Sequence, residues 1–206
     1  MKKWTIPNLL TFGRILLIPV FSYFFLKGDY RLALGIFVLT GFTDIIDGWL
    51  ARTLHQRSTL GAILDPSADK LLMLVTFIIL AWTGLVPWWL SALVIARDLA
   101  IITGVLTLKH LKKKLYFKPT KLSKLNTFFQ LSTIFLAFLL AFLRVDAPHL
   151  VRVLATIQPL LKVWCYLTGG MTVLSWIQYT RIGLMILRGR RDYADLPLKK
   201  TQGRDQ

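Results

Sequence analysis

Four carboxylates fall within 26 residues of a chain that is 55% hydrophobic: Asp44, Asp47, Asp65 and Asp69. They interrupt sequence that is otherwise apolar, with "RLALGIFVLTG" before them and "LLMLVTFIILAW" after. An aspartate at the centre of a bilayer-spanning helix costs about 2.5–3.5 kcal/mol. Four would cost on the order of 10 kcal/mol unless they meet water, cations or one another. On a helix Asp44, Asp47, Gly48 and Ala51 share one face, as do Gly61, Asp65, Ala68 and Asp69. Each face is otherwise made of small residues, which admit a close backbone or a flat ligand. The polar link "TLHQRST" is short enough to make the two helices antiparallel neighbours, bringing the carboxylates toward one cavity. Converging carboxylates repel unless cations intervene. Hard oxygen donors without a nearby His–Cys cluster favour magnesium, with manganese or calcium also open. Two divalent ions would balance four charges and suit phosphoryl chemistry. The alternative is that individual aspartates cap helices or pair with Arg52, Arg57 or Lys70.

The elements that must position these residues are long apolar runs. Six fit the length of a membrane-crossing helix, at roughly 8–27, 30–52, 60–83, 87–108, 124–144 and 157–183. The expected fold is all-α and integral to the membrane, with six transmembrane helices and an acidic metal-binding cavity near the cytoplasmic face. Residues 1–187 form one domain in this reading, and 188–206 a basic cytoplasmic tail. Pro66 should kink the third helix or start a new turn there. "MKKWTIPNLLTFGR" lacks a small-residue cleavage site and carries Arg14 where a signal peptide would stay apolar, so the first span is expected to remain.

The net charge is +16 and unevenly placed. Lysine and arginine concentrate at the N-terminus, between spans two and three, in "LKHLKKKLYFKPTKLSK" and in the tail. The positive-inside rule then puts both termini and the 109–124 loop in the cytoplasm. The same charge attracts anionic headgroups, and it follows the membrane boundary with no nucleic-acid module visible, so no nucleic-acid partner is expected. Cys165 is the single cysteine, which excludes an intramolecular disulfide. A multi-pass protein without a eukaryotic-type presequence points to a bacterial inner membrane. A transporter could also line a path with acids, but it leaves Gly48, Ala51, Arg52 and Gly61 without a role. A silent lipid-binding scaffold would tolerate loss of Asp69.

The eight positions Asp44-x2-Asp47-Gly48-x2-Ala51-Arg52-x8-Gly61-x3-Asp65-x3-Asp69 resemble the full signature of the CDP-alcohol phosphotransferases. That resemblance runs from "IPNLLTFGR" to the sixth span, and it implies six transmembrane helices. It further implies transfer of a substituted phosphate from a CDP-linked donor to an alcohol, with release of CMP. The four aspartates would hold Mg2+ or Mn2+, in a pair of ions. Asp69 is the family's catalytic residue, the candidate base on the acceptor hydroxyl; a metal-bound carboxylate is a weak base, so orienting the hydroxyl is the other role open to it. Gly48, Ala51, Arg52 and Gly61 would bind the nucleotide. CDP-diacylglycerol fits as donor better than a soluble CDP-alcohol, because the chain is short for the choline and ethanolamine enzymes.

The acceptor is read further along. Arg97, in "VIARDLAII", either takes an acceptor phosphate or forms a self-paired couple with Asp98. "YFKPTKLSKLNTFFQL" offers Lys118, Ser123, Lys124, Asn126 and Thr127 at a helix start, where amides favour anions; topology charge is the other reading. Arg181 is a third cation, either facing the acceptor or snorkelling to the interface. Such a set fits a phosphate-bearing acceptor, a lipid or a glycerol phosphate. Within the family, "KPT-x-LSK-x-NT" with "ARD" resembles the CMP-forming cardiolipin synthases, with phosphatidylglycerol as acceptor. The phosphatidylglycerophosphate synthases, which use glycerol 3-phosphate, more often show "ARE" and "GK-x-KT". A homodimer could form through Gly104, Gly169 and Gly170, which could equally serve packing within one chain.

Overall fold

The computed structural model describes residues 6–53, 61–111, 120–146 and 149–188, with side chains described except at 6–11, 44–53, 61–67, 69, 109 and 146. Lys118 and the tail beyond 188 lie outside the described residues. Six helices follow in order: α1 (Ile6–Leu26), α2 (Tyr30–Thr53), α3 (Gly61–Trp82), α4 (Trp88–His110), α5 (Lys121–Asp146) and α6 (Val151–Leu187). The described residues contain no strand. These helices coincide with the six apolar runs, and the largest departure is α6, which starts and ends beyond its run. A helix needs backbone hydrogen bonds rather than apolar side chains to continue, so it runs through Pro159, Lys162 and Arg181 where hydropathy falters. α3 likewise continues as one helix through Pro66, so the new turn expected there is not formed.

Local chemistry fixes the turns at one end of the bundle. α1 closes on Gly28 and α3 on Gly84, both at positive φ (85° and 72°), where a side chain would be strained. After α1, the Asp29 amide donates to the Phe24 carbonyl and the Gly28 amide to Phe25. After α3, Leu85 donates to Leu80 and Gly84 to Ala81 in the same pattern. Both are Schellman closures, which satisfy carbonyls the helix end would leave bare. Asp29 then caps α2, its carboxylate accepting from the Leu32 amide at 3.2 Å.

The surface is unusually apolar, while the mostly apolar interior also holds polar side chains. Phe12, Leu16 and Tyr23 on α1, Val38 and Phe42 on α2, Leu106 on α4 and Phe135 on α5 are exposed, while Arg14, Arg97, Asn126, Gln130, Thr168, Thr172 and Ser175 are buried. Outward apolar faces and inward polar ones are what lipid surroundings select. Among the described residues α4, α5 and α6 carry stretches long and apolar enough to cross a membrane. The described apolar parts of the others are shorter: Phe12–Leu26, Tyr30–Thr43 and Lys70–Trp82.

An aromatic core ties α1, α2 and α5, with Phe25 and Phe138 edge-on at 5.0 Å and Phe37 at 5.5 Å from Phe138. α5 and α6 are joined by a polar seam. The Thr133 and Thr168 hydroxyls meet at 2.7 Å, Thr172 donates to Asn126 Oδ1 at 2.9 Å, and Thr120 donates to Gln178 Oε1 at 2.9 Å. α6 approaches α4 closely at Gly169, where an added Cβ would lie 2.7 Å from the Trp89 ring. Gly169 therefore serves packing within the chain, whereas Gly104 and Gly170 are exposed. Among the described residues α2 packs on α1 and α5, and α3 on α1, α4 and α5. Among the described residues these two helices share α1 and α5 as neighbours.

Candidate functional site

Helix spacing relates the signature positions to buried neighbours on the same helices. On α2, Ala33 and Thr40 are fully buried, and positions 44 and 47 stand at i+4 and i+7 from Thr40. On α3, Ala68, Leu72 and Thr76 are buried, and positions 65 and 69 fall three or four residues from them. The side chains of Asp44, Asp47, Gly48, Ala51, Arg52, Gly61, Asp65 and Asp69 themselves lie outside the described set. Among the described residues no cluster of three or more His, Cys or Asp side chains could hold a metal ion. As a donor set, four carboxylates in two pairs at helical spacing fit hard divalent cations of the magnesium class.

Lys70 Nζ of α3 pairs with Asp98 Oδ2 of α4 at 2.8 Å. The other oxygen, Oδ1, accepts from Arg97 Nη1 at 2.6 Å. Arg97 Nη2 donates to Ser175 of α6 at 2.7 Å and to Ser123 of α5 at 3.2 Å. The guanidinium also lies over the Tyr179 ring, 5.5 Å from its centroid. Arg97 is 4% exposed, so this network anchors four helices at the level of Asp69. The Arg97–Asp98 couple, the alternative to an acceptor-phosphate role for Arg97, is present, and it extends well beyond the pair.

Arg97 and Ser123 are therefore brought together. Ser123 sits at the start of α5, where its amide donates to the Thr120 hydroxyl at 3.1 Å, a helix cap. Lys124 is exposed on the outer side of the same turn, and Arg181 is exposed on α6. Asn126 is fully buried in the α5–α6 seam, and Thr127 donates to its own helix at the Ser123 carbonyl. Sequence reading gave no role to Ser175, Tyr179 or Thr120, nor a function to Arg14, which is 2% exposed on α1. An arginine inside an apolar run was the available signal for Arg14.

The profile of the CDP-alcohol phosphatidyltransferase family matches residues 4–179, most of the chain and a span that contains the eight signature positions. The chain belongs to the CDP-alcohol phosphatidyltransferase family. Among its relatives is a human protein named cardiolipin synthase (CMP-forming), 40% identical over 148 residues, covering 63% of this chain and 48% of the relative. A Streptomyces coelicolor protein of the same name is 37% identical over 110 residues, covering 50% and 51%. A Schizosaccharomyces pombe cardiolipin synthase (CMP-forming) / mitochondrial hydrolase fusion protein is 36% identical over 143 residues, covering 62% and 24%. The chain spans about half the length of the first of these curated relatives.

Proposed function

We propose that this chain transfers the phosphatidyl group of CDP-diacylglycerol to phosphatidylglycerol and releases CMP, the reaction of a CMP-forming cardiolipin synthase. The observation that carries the reading is the eight-position signature, Asp44 to Asp69, lying inside a family match of residues 4–179. Relatives named for cardiolipin synthesis support this acceptor over glycerol 3-phosphate. The exposed apolar faces support membrane-spanning helices, and the placement of Lys and Arg supports both termini on the cytoplasmic side.

In this reading Asp44, Asp47, Asp65 and Asp69 hold Mg2+ or Mn2+, in a pair of ions. Those ions would neutralise the donor diphosphate and the charge that gathers on departing CMP. Gly48, Ala51 and Gly61 leave backbone room for the cytidine, and Arg52 meets the nucleotide phosphates. Asp69 orients the acceptor hydroxyl and takes its proton as the new phosphodiester forms. Lys118, Lys124 and Arg181 draw in the acceptor phosphate, with Arg97 and Ser123 ordering the start of α5 behind them. The diacylglycerol tails stay in the bilayer, against the exposed apolar faces.

The test is CMP release by the purified chain in mixed micelles with CDP-diacylglycerol and magnesium, with Asp69→Asn as blank. Release with phosphatidylglycerol alone is the expected result. Release with glycerol 3-phosphate alone would move the activity to phosphatidylglycerophosphate synthesis. No release above the blank with either acceptor would overturn the reading.

A further inference from the structure

At the end of the bundle opposite the aspartates, a cavity of about 320 Å³ opens between the α3–α4 turn, the end of α5 and the first half of α6. Gly84 to Asp69 is fifteen residues of α3 and turn, so the cavity lies roughly 20 Å from the signature. Its walls are mostly apolar, with Leu85, Leu140 and Leu161 among them, yet it is flanked by Arg144, Lys162 and Gln158. Among the described residues neither Arg144 nor Lys162 has an ion-pair partner. Arg144 lies in the last turn of α5, where the helix dipole favours a cation. Lys162 lies in the interior of α6 and has no such reason to be there.

The aromatic residues fix the level of this cavity in a membrane. Trp82 and Trp88 are exposed beside the α3–α4 turn, and Trp89 stacks on Tyr166 at 5.4 Å on the cavity wall. Tryptophan and tyrosine gather at the headgroup level of a bilayer. Two cations, an amide and apolar walls at that depth match one chemistry, a phosphate carried on acyl chains.

We propose that this cavity binds the phosphate headgroup of an anionic phospholipid from the leaflet opposite the active site. The phosphate is held by Arg144 and Lys162, the amide of Gln158 donates to it, and an acyl chain lies along Leu140 and Leu161. The site depends on the helices spanning the membrane and is independent of the reaction assigned to the aspartates.

The test is native mass spectrometry of the full chain in detergent, titrated with phosphatidic acid, phosphatidylcholine and inorganic phosphate. Phosphatidic acid should bind selectively, and the Arg144→Gln/Lys162→Gln variant should bind it on the order of thirtyfold more weakly, at about one kcal/mol per cation. Asp69→Asn should bind it as the parent does, which separates this site from the active site. Undiminished binding by the double variant, equal binding of phosphatidylcholine, or full competition by inorganic phosphate would each overturn the proposal. Should the double variant not fold, two further measurements decide. Arg144→Lys/Lys162→Arg should retain binding, and a photoactivatable phosphatidic acid should label peptides containing 84–89 and 158–166. Labelling elsewhere alone would overturn it. No CMP is measured, so failure here leaves the proposed reaction standing, and the converse also holds.

Discussion

Asp98 joins Lys70 to Arg97, with Lys70 Nζ 2.8 Å from one carboxylate oxygen and Arg97 Nη1 2.6 Å from the other. The consequences of breaking the two arms differ because their burial differs. The Lys70 side chain is 41% exposed and can be resolvated, whereas that of Arg97 is 5% exposed and cannot. Lys70→Met is expected to cost about 0–1 kcal/mol. Asp98→Ala strands a buried guanidinium and is expected to cost about 3–5 kcal/mol, with CMP release falling alongside. Thermal unfolding of both variants in detergent checks this; equal losses would contradict it.

Arg97→Lys should behave as a disruptive change despite keeping the charge. One ammonium cannot reach Asp98, Ser123 and Ser175 in a fixed plane while covering Tyr179. Each lost charge-assisted bond is worth about 1.5–3 kcal/mol, so the unfolding midpoint should drop clearly. A parental midpoint with a raised KM for the acceptor alone would instead make Arg97 a direct acceptor ligand.

Gly169 and Gly170 are adjacent in sequence and should respond differently to alanine. At Gly169 the new Cβ meets Trp89 at 2.7 Å, and that ring is stacked on Tyr166 and cannot easily yield. Overpacking of this kind costs about 1–3 kcal/mol. At Gly170 nothing lies within 4 Å, so Gly170→Ala should be neutral or slightly stabilising. Comparing the two unfolding midpoints is sufficient.

Chelation should stop CMP release by the parent chain, and added Mg2+ or Mn2+ should restore it. Asp69→Asn should lose at least ~100-fold in turnover whatever metal is supplied, if its carboxylate handles the acceptor proton. Its unfolding midpoint in chelator should match the parent's. Turnover that survives chelation would remove the divalent ions from the mechanism.

How much of this was legible in sequence depends on the range of each interaction. The six helices were, because long apolar runs are local signals. The grouping of Asp44, Asp47, Asp65 and Asp69 by helix face rests on spacing along single helices, and their side chains lie outside the described residues. The Lys70–Asp98 pair was not, because its partners are 28 residues apart on different helices. "ARD" suggested a self-contained couple, and nothing local to it points to Ser123 or to Ser175, 78 residues away. Lys124 and Asn126 looked alike as members of one polar segment. Helix rotation separates them, leaving the first exposed and the second buried.

The hydroxyl and amide seam between α5 and α6 bears on how the chain enters a bilayer during synthesis. α5 emerges first, and on its own it would present the Asn126 amide oxygen and the Thr133 hydroxyl to acyl chains without their α6 partners. α6 brings Thr168 and Thr172, which meet Thr133 and Asn126 directly. The two helices are thus expected to leave the insertion machinery together as a hairpin. A nascent chain stalled before residue 168 emerges should keep α5 cross-linkable to the insertion channel, and release of α5 to lipid at that stage would contradict this. By this account the final hairpin reaches lipid with its polar seam already formed.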